Sequence, residues 1–307
     1  MRITSYRASL IGLFLFIICL WLGFVAIAAN GSMLDFVREI PLVHYERQRV
    51  LFDSNSAIEI ERSRNSVTES NRCLNNLQQG DYTTAISDCT KAIEHSPENL
   101  EARLNLGLAN YHQGNYLLAI AQYQFVIQQN PYDYRAFYNW GLSDVARGEY
   151  RRGIERYNTA LNLTEAIADG DKALILNDLG ATQILLKQYE AAIANLDRAI
   201  ELDPDSKESY FNRGCAYHRQ GNYVAGIDDF SHVIQLDSSY TEAYISRAIL
   251  YHLIRHERAA YQDLDVALQQ YQKKGDYAPR TLRDRDRDRK VLGLKDSITK
   301  SQVNQTA

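Results

Sequence analysis

The side chains that could do chemistry are few. Four cysteines stand at 19, 73, 89 and 215, and none falls in a CxxC pair, so neither a redox couple nor a zinc ribbon is indicated. Cys19 follows Ile18, without the small residue a lipid-attachment cysteine would have before it. Cys73 and Cys89 are sixteen residues apart. In an exported chain they could bond, but the favoured reading is a pair of small core residues. His252 and His256 lie four apart and could share a helical face, as metal ligands would. No third ligand accompanies them, and HLIRHE is not the HExxH of zinc proteases. The chain also lacks a Walker loop, a GxGxxG after a strand and a GxSxG elbow. It is therefore expected not to be an enzyme, and to hold no metal and no cofactor.

The remaining signal is periodic. QGNY occurs at 113–116 and 220–223, and QGDY at 79–82. A shift of 34 residues carries Gly80 to Gly114 and Gly148, and Tyr82 to Tyr116 and Tyr150. Pro97, Pro131 and Pro204 close three of the copies. Within one copy, residues 101–131, Leu104, Leu108 and Tyr111 recur at helical spacing before Gly114 interrupts. Leu118, Ile120, Tyr123, Val126 and Ile127 then line a second helix. Such a hairpin is apolar on more than one side and needs copies of itself stacked alongside. Gly107 and Ala119 are expected where its two helices cross. The bulky Tyr and Phe positions are expected to fill the gap to the next hairpin.

This pattern resembles the tetratricopeptide repeat, a 34-residue helix-turn-helix with the signature W-x2-L-G-x2-Y, A-x3-F, P. Leu106-Gly107, Ala119, Tyr123 and Pro131 match it best, and Trp140-Gly141 with Tyr157, and Gly214 with Phe230, match in later copies. The sixth copy departs most, with Arg255 and Glu257 where the turn Gly and Tyr would stand. The expected fold is all-α, a right-handed α-solenoid of about six such repeats over residues 66–272. Between the third and fourth copies the phase slips by five residues at ADGDK, 168–172, which reads as a longer turn.

The resemblance also implies a working surface. In such arrays the first helices line a concave groove, where an Asn often bonds the backbone of a bound peptide. Asn71, Asn105, Asn139, Asp178 and Asn212 fall at that place in successive copies, with Arg135, Tyr138, Phe211, His218 and Arg219 as flanking anchors. The two-lysine clamp of chaperone-binding members is not matched. The implied partner is a protein or peptide, and the implied role is a scaffold, adaptor or assembly factor. A metal-dependent hydrolase with its site in the groove and a purely structural spacer are the rival readings.

The flanking segments place this array. Residues 8–29 carry no charge and follow Arg2 and Arg7. As a helix of about 33 Å they would cross a hydrocarbon core of about 30 Å. Basic residues ahead of the run put the repeats on the non-cytoplasmic side. Ala26 and Ala28 form an A-x-A site, so a cleaved signal peptide is the rival, which would leave a secreted or periplasmic protein. Residues 30–65 read as a stalk, and 273–307 as a cap helix near 279–292 followed by a polar tail. Residues 66–272 hold 17 basic and 27 acidic groups, a net charge of −10. An acidic body disfavours nucleic acid as a partner.

Overall fold

The computed structural model describes residues 64–163, 167–275, 293 and 295–296. The apolar run at 8–29, the stalk up to residue 63 and the cap at 279–292 lie outside them. Among the described residues no helix is long and apolar enough to cross a membrane.

The described chain is all-α, with twelve helices in tandem pairs and no strand. They are α1 (Arg64–Gln79), α2 (Tyr82–His95), α3 (Leu100–His112), α4 (Tyr116–Gln129), α5 (Tyr134–Ala146), α6 (Tyr150–Asn162), α7 (Asp169–Leu185), α8 (Tyr189–Leu202), α9 (Lys207–Gln220), α10 (Tyr223–Leu236), α11 (Thr241–Leu253) and α12 (Glu257–Gly275). Two compact units meet in sequence between Ile175 and Leu176, inside α7. The first has a core around Leu104, Leu108, Tyr123 and Val126. The second has its own, around Leu196, Phe211, Phe230 and Leu250.

Inside each hairpin the two helices are held together by residues sixteen apart. A Cβ built on Gly107 would stand 2.4 Å from the Tyr123 ring, and one on Gly141 would stand 2.6 Å from that of Tyr157. Gly180 faces Leu196 and Gly214 faces Phe230 in the same way. The bulky residues thus fold back on the glycine of their own hairpin, which corrects the expectation that they chiefly fill the gap to the next. In the first hairpin this place belongs to Cys73 and Cys89. They are joined as a disulfide, with Cα atoms 5.2 Å apart. That corrects the reading of two unbonded core cysteines. The crossing that in four other hairpins sets a glycine against a bulky side chain brings two backbones within disulfide reach here.

The turns are as regular. Gly80, Gly114, Gly148 and Gly221 all adopt left-handed backbone, with φ from 78° to 89°. In the fourth and sixth hairpins Lys187 (φ 61°) and Arg255 (φ 65°) take that conformation without being glycine. The surrounding hairpin therefore imposes the turn on a residue that disfavours it by about 1–2 kcal/mol. Replacing both, Lys187→Gly with Arg255→Gly, is expected to raise the denaturant midpoint by an amount equivalent to about 1 kcal/mol per site. An unchanged or lower midpoint would show the turns to be unstrained.

The ADGDK segment differs from expectation. Residues 169–172 form the first turn of α7, which runs for 17 residues, in place of a longer turn. Asp169 and Asp171 suit a helix N-terminus, where the dipole favours negative charge. The Tyr134 hydroxyl donates to Asp171 Oδ2 at 3.0 Å and ties this turn to α5. At the other end Lys295 Nζ donates to Asp265 Oδ1 at 2.8 Å and lies 4.2 Å from the Tyr261 ring centre, so part of the C-terminal segment packs on α12.

Candidate functional site

The five ladder residues occupy one position on five first helices: α1, α3 and α5 in the first unit, α7 and α9 in the second. In the first unit α3 packs against both α1 and α5. Asn71 is exposed, while Asn105 and Asn139 are 3% and 8% exposed. Arg135, one turn before Asn139, is already engaged. Its Nε and Nη2 donate to the two oxygens of Asp133 at 3.0 and 2.9 Å, and its Nη1 to Glu101 Oε2 at 3.0 Å. A guanidinium held bidentately is a structural strut between two hairpins. Tyr138 is 1% exposed and packs against Tyr157, with ring centres 5.8 Å apart. It belongs to the core.

In the second unit the ladder position is wired into a buried polar cluster. The Asn212 amide donates to Asn177 Oδ1 at 2.9 Å, and the Asn177 amide donates to Asp178 Oδ1 at 3.1 Å. Ser209 Oγ donates to the same Asn177 oxygen at 3.4 Å. Asn212 Oδ1 is buried and accepts nothing. One repeat further on, Ser246 on α11 holds the ladder position, and its Oγ is likewise buried without a partner. Neither Asn177 nor Ser246 was among the expected residues. The signal for Ser246 was the repeat register itself, since it lies 34 residues after Asn212. Phe211 is 1% exposed, between Phe230 and Tyr240 at 5.3 and 5.2 Å. His218 is buried beside Tyr223, and burial lowers its pKa to about 3, so the ring is neutral. Arg219 is half-buried.

The histidines considered for a metal are used otherwise. His252 Nδ1 lies 2.6 Å from Glu257 Oε2, and His256 stacks on Tyr251. Among the described residues no three His, Cys, Asp or Glu side chains converge to hold a metal ion. Cys215, the free cysteine described, is buried, and burial pushes its thiol up to about 12, far from a nucleophile's range.

A second arrangement went unnoticed in the sequence. In the first, fifth and sixth hairpins an Arg on the first helix pairs with an Asp sixteen residues on: Arg72 with Asp88, Arg213 with Asp229, Arg247 with Asp263. The third hairpin has Trp140 and Arg156 at these two places, with the guanidinium carbon 4.0 Å from the ring centre. Beside Arg156 opens a cavity of about 430 Å³.

The architecture defines a chain of tandem helical hairpins. Tetratricopeptide-repeat family models match residues 75–134, 180–221 and 207–240, so these segments are tetratricopeptide repeats. No curated protein matches the chain in sequence. Among solved structures it is similar to one titled as a functional characterisation of Pseudomonas aeruginosa pilF, at 16% identity and a TM-score of 0.58, covering 73% of this chain and 97% of that one. It is also similar to a chain of the Cut9–Hcn1 hetero-tetramer of the APC/C, at 18% identity and a TM-score of 0.61, covering 91% of this chain and 54% of that one. A third is a tetratricopeptide repeat protein from Parabacteroides merdae, at 16% identity and a TM-score of 0.53, covering 75% and 100%. At such identities the likeness extends to the fold.

Proposed function

We propose that this chain is a non-enzymatic scaffold, an adaptor or assembly factor, that grips extended segments of partner proteins along the first helices of each unit. The observation that carries this reading is the recurrence of a short polar side chain at one helical position in six hairpins, from Asn71 to Ser246. A run of amides and hydroxyls in register can match an extended backbone, whose N–H and C=O groups need partners whatever its side chains. Tyr138 and Phe211 drop out of the contact surface, and Arg135 supports it from behind.

The scaffold works at a membrane, with residues 8–29 as an uncleaved anchor and the repeats on the non-cytoplasmic side. The apolar run and the basic residues before it support this placement. So does the Cys73–Cys89 bond, since disulfides persist in oxidising compartments.

The test is affinity purification from detergent-solubilised membranes, with the wild type beside a triple variant, Asn105→Ala, Asn139→Ala and Asn212→Ala, shown by circular dichroism to be folded. A partner is expected on the wild type and lost, by roughly tenfold or more, from the variant. Equal recovery from both would remove the ladder from the interface.

A further inference from the structure

The cavity of the third hairpin is a different surface from the ladder. It is lined by Leu117 and Ile120 of α4, Trp140, Asp144 and Arg147 on and after α5, and Arg152 and Arg156 of α6. At about 100° per residue, Trp140, Asp144 and Arg147 all lie roughly 80–140° around the helix from Asn139. Its volume of about 430 Å³ falls in the range of ligand sites.

Its charge runs against the rest of the body. Three arginines face one carboxylate here, whereas residues 66–272 as a whole carry a net charge of −10. The second helices α4 and α10 contain no Arg or Lys, but α6 contains Arg151, Arg152 and Arg156. The polar groups of the cavity are incompletely used. Asp144 is 2% exposed; its Oδ1 lies 3.7 Å from Arg147, while its Oδ2 is buried and unpartnered. Arg156 Nε is also buried without a hydrogen bond, its guanidinium spent on the Trp140 face. The lip is apolar, with Leu117 66% exposed.

We infer that this cavity docks an acidic peptide segment of a partner protein. A side-chain carboxylate of the segment sits among Arg147, Arg152 and Arg156, and an apolar neighbour lies on Leu117 and Ile120. Guanidinium groups bind carboxylates in forked pairs. The reversed local charge steers an acidic segment to this hairpin and away from the rest of the body.

The test uses the full-length chain and an end-blocked, fluorophore-labelled peptide of alternating glutamate and leucine, beside a counterpart with glutamine for glutamate. Anisotropy should show binding of the first and at least about tenfold weaker binding of the second. Arg152→Glu, at an exposed position, should weaken the first peptide by a similar factor. Arg198→Glu on α8, the same change of charge elsewhere, should leave it within about twofold. The triple Asn→Ala variant should bind it as the wild type does, which separates this site from the ladder. Equal affinity for the two peptides, or equal loss in the two arginine variants, overturns the inference. So does loss of the peptide from the triple variant.

Discussion

Reducing the Cys73–Cys89 bond should destabilise the first unit by about 3 kcal/mol, the loss expected when a loop of this length is no longer closed in the unfolded chain. The chemistry around the bond adds to the effect. Both cysteines are 0% exposed, and they occupy the place where other hairpins set a glycine under a ring. Two free thiols at that crossing fill less space than a Tyr and lose the covalent tie as well. Denaturant unfolding followed with and without reductant measures the change. A further variant sharpens it: Cys73→Gly with Cys89→Tyr installs the pairing of the second and third hairpins, and should recover more of the stability than Cys73→Ala with Cys89→Ala. If reduction, verified by thiol labelling, leaves the midpoint where it was, the bond contributes nothing to the fold.

Gly107→Leu should cost about 1–3 kcal/mol by overpacking. The first added carbon alone would stand 2.4 Å from Tyr123 Cε1, and the Tyr123 ring is 0% exposed, so it has nowhere to swing. Shrinking the ring, Tyr123→Ala in the Gly107→Leu background, should recover part of the loss, because the two changes act on one space. Simple additivity of the two single losses in a thermal melt would refute the proposed contact. Gly114 makes the useful contrast. Its Cβ would meet nothing within 4 Å, so Gly114→Ala should cost only the left-handed backbone term, about 1 kcal/mol.

The hairpins were legible because their signals are local. Turn glycines, closing prolines and apolar spacing all act within about twenty residues, and each hairpin begins and ends close to where they say. What escaped depends on neighbours in space. Periodicity places Tyr138 beside Asn139 on the edge of a groove, but packing against Tyr157 takes its ring into the core. Arg135 reads as a free anchor until Glu101, 34 residues earlier, is brought alongside it. Register alone could have flagged the disulfide, since Cys73 and Cys89 hold the crossing positions. It could not say whether the thiols were oxidised. Lys187 and Arg255 carry no sign of left-handed turns; the helices on either side decide their backbone.

Arg213 reaches two hairpins at once. Its Nε and Nη2 hold Asp229 within the fifth hairpin, and its Nη1 holds Asp197 of the fourth at 2.7 Å. Arg247 repeats the arrangement, gripping Asp263 of the sixth and Ser231 of the fifth. In the language of a one-dimensional chain of spins, these arginines raise the coupling between adjacent sites relative to the stability of each site alone. Strong coupling makes a row of modules behave as one. The fourth, fifth and sixth hairpins should therefore lose hydrogen-exchange protection together, as a single cooperative block, where weakly coupled repeats would fray one by one.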